Sequence, residues 1–212
     1  QALLRIRNEE LRILNLELET KGDRLEAQRM MLKSALDESH ELEVRLREMA
    51  FHDPLTGLAN RKLWVEHVGR ALSRTARSER LVAVAYVDLD GFKDVNDSFG
   101  HAAGDLVLAE AAERILASVR SADVVARLGG DEFVVLMEGI SDEEAAAHVA
   151  RRILLAFRTP VLLGGSYRVI SASIGIAFAL PHDDTETLLH RADVAMYEAK
   201  ESGKNRYVAH RV

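Results

Sequence analysis

The sequence predicts an α/β domain of the α+β kind carried behind one long helix. Three observations predict it: composition breaks near residue 50, leucine recurs at every seventh position before the break, and apolar runs alternate with helical patterns after it. All of the aromatic residues and all 3 Pro lie from Phe51 onward, and only Gly22 of the 13 Gly lies before it. Residues 1–50 are therefore read as a helical segment and residues 51–212 as the globular domain.

In the first segment Leu4, Leu11, Leu18, Leu25 and Leu32 fall seven apart, Ser39 interrupts, and Leu46 resumes. With these at a, the d positions are Arg7, Leu14, Lys21, Gln28, Ala35, Leu42 and Met49. A stripe on an ordinary core-facing helix is the alternative, but no turn signal folds the segment back, and Gly22 alone is weak punctuation. The reading is a parallel two-stranded coiled coil, roughly 70 Å long. Its polar d positions imply marginal stability, which suits a signalling stalk better than a fixed rod. The segment opens in mid-helix without a capping residue, so a sensor domain is expected upstream in the natural protein.

The elements of the second segment follow in order. Arg61–Arg77 reads as a helix with Trp64, Val68, Ala71 and Leu72 on one face. Leu81–Val87 is a continuous apolar run, hence a buried strand, ending at Asp88. A helix over Gly104–Val119 follows, then strands Val124–Leu128 and Glu132–Met137 about a Gly129–Gly130 turn. Ser141 is expected to cap a helix over Asp142–Phe157. Tyr167–Ala179 alternates as a strand around Gly175, Thr185–Glu201 is a helix, and Arg206–Ala209 is a short last strand. The order β-α-β-β-α-β describes a ferredoxin-like sheet with helices on one face, extended at both ends.

Composition narrows the function. The 212 residues are 48% hydrophobic and 29% charged, enough to bury a core. No run reaches the roughly 18 to 20 apolar residues of a membrane span, and the N-terminus is not a signal peptide. The absence of Cys excludes disulfides, thiolate zinc sites and cysteine nucleophiles, and fits a cytoplasmic protein. A net charge of -6 argues against general binding of nucleic acid or anionic membranes, and taken alone against a polyphosphate substrate.

The acidic residues are not spread evenly. Asp88 and Asp90 close the first strand, and Asp131 and Glu132 follow Gly129 and Gly130 in the hairpin of a neighbouring strand. Carboxylates gathered at one spot repel unless a cation neutralises them. Hard oxygen donors without His or Cys suit Mg²⁺ or Mn²⁺ held together with substrate phosphates, and so suit metal-assisted phosphoryl or nucleotidyl transfer. The glycines free the backbone for a large ligand to approach. Gly91-Phe92-Lys93, Asn96-Asp97, Gly100-His101 and Gly104-Asp105 then read as an irregular loop that cradles phosphate before a helix. Lys93 neutralises phosphate charge, and Asn96 with Asp105 suits the edges of guanine. Asp90 and Asp97 are assigned to capping and solvation, and His101 is divided between a structural and a ligand-facing role.

These segments together resemble the GGDEF family of diguanylate cyclases. The match runs from about Phe51 to Tyr207: Asp53-Pro54-Leu55-Thr56-Gly57-Leu58-Ala59-Asn60-Arg61, then Asp88-Leu89-Asp90-Gly91-Phe92-Lys93, then Asn96-Asp97 through Asp105. Arg127-Leu128-Gly129-Gly130-Asp131-Glu132-Phe133, Ser173-Ile174-Gly175-Ile176-Ala177, and Ala192-Asp193 through Lys200, Gly203, Lys204 and Asn205 complete it.

The resemblance implies a nucleotidyl-cyclase-type domain that condenses two GTP to cyclic di-GMP with release of two pyrophosphates. It implies a metal held by Asp88, the Leu89 carbonyl and Asp131, with Asp131 or Glu132 deprotonating the 3′-hydroxyl and Asp131 preferred. Lys93 would stabilise transition-state charge. Asn96, His101 and Asp105, with Phe92, Gly129 and Gly130, would hold the nucleotide, and Lys200 and Lys204 its terminal phosphates. The family often has Arg where this chain has Lys204. One GTP per domain requires two domains to face each other, a homodimer joined by the coiled coil and switched by rotation or register change through Met49–Asp53. Arg120-Ser121-Ala122-Asp123, separated by five residues from Gly129, matches the family's RxxD product-inhibition site, with Arg151 or Arg152 completing it. The alternative is an idle domain that serves as a GTP or cyclic di-GMP receptor. The resemblance leaves open a tether of the natural protein to the inner membrane. Lys93, Lys200 and Lys204 supply local positive charge that the net -6 conceals, so net charge excludes nucleic acid but not two nucleotides.

Overall fold

The structure is a computed structural model and describes residues 2–75 and 80–210. The chain divides into two units, Gln1–Ala50 and Phe51–Val212. The first is a single helix, α1 (Ala2–Phe51). Its stripe leucines Leu4, Leu11, Leu18, Leu25 and Leu32 are all exposed, so they line no core within this chain. Among the described residues, no helix is long and apolar enough to cross a membrane.

The second unit opens with α2 (Arg61–Thr75), capped by Asn60, whose Oδ1 accepts from the Leu63 N–H at 3.1 Å. The expected end at Arg77 lies outside the described residues. β1 (Leu81–Asp90) runs past the expected end, so Asp88 and Asp90 are strand residues. The irregular loop expected next is a helix, α3 (Phe92–Phe99). Gly91 turns the chain at φ 74°, its carbonyl accepts from the Asp94 and Val95 N–H groups, and Phe92, Val95 and Phe99 pack on the core. Gly100 at φ 81° separates α3 from α4 (His101–Ala117), which starts ahead of the expected Gly104.

β2 (Val124–Gly129) and β3 (Glu132–Ile140) form the hairpin. Its turn residues are Gly130 and Asp131 rather than Gly129 and Gly130, because the register shifts between Arg127 and Gly129 and leaves Gly129 opposite Glu132. α5 (Glu143–Ala156) is capped by Asp142, which accepts from the Ala145 N–H at 2.8 Å. Ser141, the expected cap, donates its hydroxyl to Asp142 instead. The strand expected over Tyr167–Ala179 is split. β4 (Val161–Leu163) and β5 (Ser166–Arg168) form a separate ribbon about Gly164 and Gly165, both at positive φ, and β6 (Ser171–Phe178) joins the main sheet. α6 (Thr185–Glu201) has the expected bounds, and β7 (Tyr207–Ala209) closes the sheet.

The sheet order is β2-β3-β1-β6-β7, antiparallel apart from the β6–β7 pair, which confirms the ferredoxin-like βαββαβ arrangement. Side chains alternate across a strand, so β1 serves two cores. Ala83, Ala85, Val87 and Leu89 face a cluster with Val107, Ile115 and Ile153 of α4 and α5. Val82, Val84 and Tyr86 face Trp64, Val68, Leu188 and Ala192 of α2 and α6. Helices on one face is therefore correct for α4 and α5 only, since α2 and α6 cover the other face. That double burial is why β1 reads as an unbroken apolar run. Gly175 lets α6 lie on β6: a Cβ there would stand 2.0 Å from the Ala192 carbonyl oxygen and 2.1 Å from the Met196 nitrogen. This close approach seats α6 directly on β6 at Ala192–Met196.

Candidate functional site

Asp88 lies in the same alternation as Val82, Val84 and Tyr86, on the α6 side of β1, where the apolar run gives way to acid. It is 7% exposed, opposite Glu132 on β3 and Ser173 on β6. From the last turn of α6, Lys200 places Nζ 2.8 Å from Asp88 Oδ1. Burial pushes the Asp88 carboxyl above its ordinary range, the hydrogen bond from Lys200 opposes this, and the charges of Asp131 and Glu132 add to it. The Leu89 N–H donates to the Asp131 carbonyl at 3.4 Å, tying the turn to the strand. The Leu89 side chain is buried among the core residues on the α4–α5 side, so only its backbone borders the Asp131 turn.

Tyr86 and Arg127 complete this end of the sheet, and the sequence reading assigned neither a role. The buried Tyr86 phenol hydrogen-bonds Glu132, and burial together with the Glu132 charge raises its pKa far above the usual value. Arg127 donates to both Asp53 oxygens, at 3.0 and 3.1 Å, and to the Gly130 carbonyl from Nε and Nη2, at 3.0 and 2.8 Å. The available signal was the placement of Arg127 two residues before Gly129 and of Asp53 three residues before Thr56. Asp90, expected to be solvated or capping, accepts from the Ser171 and Ser173 hydroxyls at 2.7 Å and from the Asn205 N–H at 3.1 Å. It therefore ties β6 and the turn after α6 to the site strand.

The expected nucleotide contacts lie on α3, α4 and the turns. Lys93 is exposed on the first turn of α3, His101 is exposed at the start of α4, and Asp97 is exposed. Asn96 sits against Gly104, where a Cβ would stand 2.0 Å from Asn96 Oδ1 and 3.3 Å from the Phe92 ring, and exposed Asp105 follows. Gly129 and Gly130 are exposed with φ of 152° and 50°. Lys204 is exposed at φ 60° in the turn after α6.

Arg120 and Asp123 stand apart from this group. Arg120 Nη2 is 3.0 Å from Asp123 Oδ1 and reaches the Glu138 carbonyl at 3.5 Å. Glu138 lies six positions along β3 from Glu132, about 20 Å away at strand rise. Arg74 of α2 meets the Glu138 carboxylate at 2.6 Å. On α5, Arg151 is held by Glu144 and by the Tyr207 hydroxyl at 2.9 Å, and Arg152 donates to the Ala117 carbonyl at 3.4 Å.

Among the described residues no three His, Asp or Glu side chains converge as a ready metal cage. The donor set at Asp88, the Leu89 backbone and Asp131 nevertheless fits an ion of the Mg²⁺ type. Such ions take one or two carboxylates, keep several waters and complete their shell with substrate phosphates.

A ferredoxin-like sheet with carboxylates at the end of its first strand and on the adjoining hairpin, and a lysine paired with the first of them, defines a nucleotidyl-cyclase-type domain. A family profile described as "Diguanylate cyclase, GGDEF domain" matches residues 50–206, and the chain belongs to that family. It is 43% identical over 185 residues to MucR of Pseudomonas aeruginosa, a bifunctional diguanylate cyclase/cyclic di-GMP phosphodiesterase, covering 87% of this chain and 26% of that protein. It is 41% identical over 178 residues to the diguanylate cyclase TpbB of Pseudomonas aeruginosa, covering 80% of this chain and 41% of that protein. The chain thus spans well under half the length of these relatives. Among solved structures, the coiled coil and GGDEF domain of DgcB from Caulobacter crescentus, in complex with c-di-GMP, superposes with a TM-score of 0.80 at 28% identity. That match covers 87% of this chain and 98% of that one. Diguanylate cyclases of this family use a divalent metal ion.

Proposed function

We propose that this chain is a diguanylate cyclase that joins two GTP into cyclic di-GMP and releases two pyrophosphates. The observation that carries this reading is Asp88 standing opposite Glu132 with Lys200 upon it, beside a turn that presents Asp131. Each 3′-hydroxyl attacks the α-phosphorus of the other nucleotide, and pyrophosphate leaves from the opposite side. Asp131, with Glu132 the other candidate, takes the hydroxyl proton. Lys93 faces charge that develops on the phosphoryl oxygens. Asn96 and Asp105 hold guanine, and His101, Phe92, Gly129 and Gly130 line the nucleotide. Lys200 and Lys204 meet its terminal phosphates. Asp88, the Leu89 carbonyl and Asp131 would hold Mg²⁺ or Mn²⁺, which would supply charge neutralisation at the phosphates.

One GTP per domain makes each chain half of a site, and two copies must face each other across a two-fold axis. The exposed leucine stripe of α1 supports a parallel coiled coil that raises the local concentration of the second domain. A signal from an upstream sensor would act by rotating the pair through Met49–Asp53. Inserting residues one at a time at this junction should modulate activity with the helical period, and a flat response would sink the rotation model. Arg120 and Asp123, with an arginine of α5, form the product site, and Arg120→Ala should raise product accumulation. The reaction belongs to the cytoplasm, where GTP is found. The assignment of the base is tested by Asp131→Ala, which should abolish cyclic di-GMP formation while leaving the thermal transition in place. Retained activity would remove Asp131 from the chemistry.

A further inference from the structure

We infer that Lys200 is a stand-in for the metal: it occupies Asp88 whenever no divalent ion does, and it is released only when nucleotide phosphate arrives to receive it. The inference rests on the reading of Asp88 as a metal ligand and adds an order of events to it. Asp88 is buried at the end of β1, with the charges of Asp131 and Glu132 acting on it, and the Lys200 ammonium sits 2.8 Å away. The close approach of Gly175 to the α6 backbone fixes the helix from which the lysine projects, so the ammonium moves only as far as its flexible stem reaches. A divalent ion bound directly to Asp88 would lie within a few ångströms of that ammonium, and two cations so close repel. Lys200 would therefore have to leave Asp88 for a divalent ion to bind there. The freed ammonium needs another anion, and the terminal phosphates of GTP, carried in with the metal, are that anion. Bare metal then gains little by binding, because it must break an ion pair and leave a cation unpaired. Metal and nucleotide together lose nothing by the exchange.

The test is titration of the full chain with Mn²⁺ alone, bound and free ion being separated by their paramagnetic resonance signals. Lys200→Met, of similar length and without charge, should bind bare Mn²⁺ about tenfold more tightly than wild type. Lys200→Gln should do the same, which covers the case in which one variant fails to fold. Lys200→Arg should keep the weak binding, and adding Asp88→Asn to Lys200→Met should abolish the gain. Affinity for metal-free GTP, measured in EDTA, should move the opposite way in Lys200→Met. Unchanged or weaker Mn²⁺ binding in both neutral variants would overturn the inference. Wild-type protein that bound no GTP under any condition would instead overturn the cyclase reading, and the Mn²⁺ comparison would still report on the lysine.

Discussion

Arg127 joins Asp53 to the carbonyl of Gly130, so the residues just past the long helix are tied by one guanidinium to the turn that presents Asp131. Asp53 is fixed from its other side by the Thr56 N–H at 2.9 Å and the Thr56 hydroxyl at 2.7 Å. A planar fork with donors on two edges can serve both partners, whereas a lysine ammonium on a flexible stem cannot. The 53–60 turn, β2 and the site turn therefore move as one piece.

Arg127→Ala should destabilise the chain by about 2 to 4 kcal/mol, because it leaves a partly buried carboxylate without its cation. Cyclic di-GMP formation should fall by about a hundredfold as the turn loses its setting. Urea unfolding and initial rates check the two effects. Arg127→Lys should recover stability in part and activity little.

The same pair has a pH signature. Burial would raise the Asp53 carboxyl, but the hydrogen bonds from Thr56 and Arg127 outweigh it and hold the group below its ordinary value. The unfolded chain then binds a proton more readily than the folded one. The stabilisation is complete above the unfolded pKa, about 4, and is lost as pH falls through the lowered folded value. The melting temperature of wild type should therefore fall more steeply than that of Asp53→Asn from about pH 5 to pH 3. Parallel curves would remove Asp53 as a source of acid sensitivity.

Gly104→Ala tests the nucleoside side of the site. Its Cβ would stand 2.0 Å from Asn96 Oδ1, so the amide must swing away from its present position. Because the contact is to a side chain and not to backbone, stability should drop by only about 1 kcal/mol. The KM for GTP should rise at least about tenfold, the cost of losing one hydrogen-bonded reader. A stable variant with unchanged KM would take Asn96 out of guanine recognition.

Tyr86→Phe removes one hydroxyl from the Glu132 carboxylate and leaves the ring in the α2–α6 core. Hydrogen bonds to charged groups contribute about 1.5 to 3 kcal/mol, so turnover should drop by about tenfold or more with KM for GTP held. Stopped-time assays over a range of GTP concentrations separate these quantities. A rise in KM together with a fall in turnover would point to a looser fold instead.

The legible parts of the molecule were those written in local pattern. The bounds of α6 follow from the spacing of Leu188, Ala192, Ala195, Met196 and Ala199, all buried as expected. The acidic end of β1 and the glycine turn were visible because charge interrupts an apolar run. α3 was missed because glycines at both ends and a polar outer face mask the spacing of Phe92, Val95 and Phe99. Ser141 and Asp142 are adjacent residues of capping type, and only the position of the Ala145 N–H chooses between them. The roles of Arg127 and Asp90 come from partners 74, 81, 83 and 115 residues away, which no window along the chain connects. Lys200 was placed at phosphate by resemblance, and its grip on Asp88 came only with the packing of α6.

The most direct measurement is product analysis after incubation of the chain with GTP and Mg²⁺, with cyclic di-GMP and pyrophosphate counted in the same sample. The expected result is one cyclic di-GMP for every two pyrophosphates, at a specific rate that rises with chain concentration as copies pair. GTP bound and recovered intact under conditions where the chain is dimeric would contradict it, and would leave a nucleotide receptor in place of an enzyme.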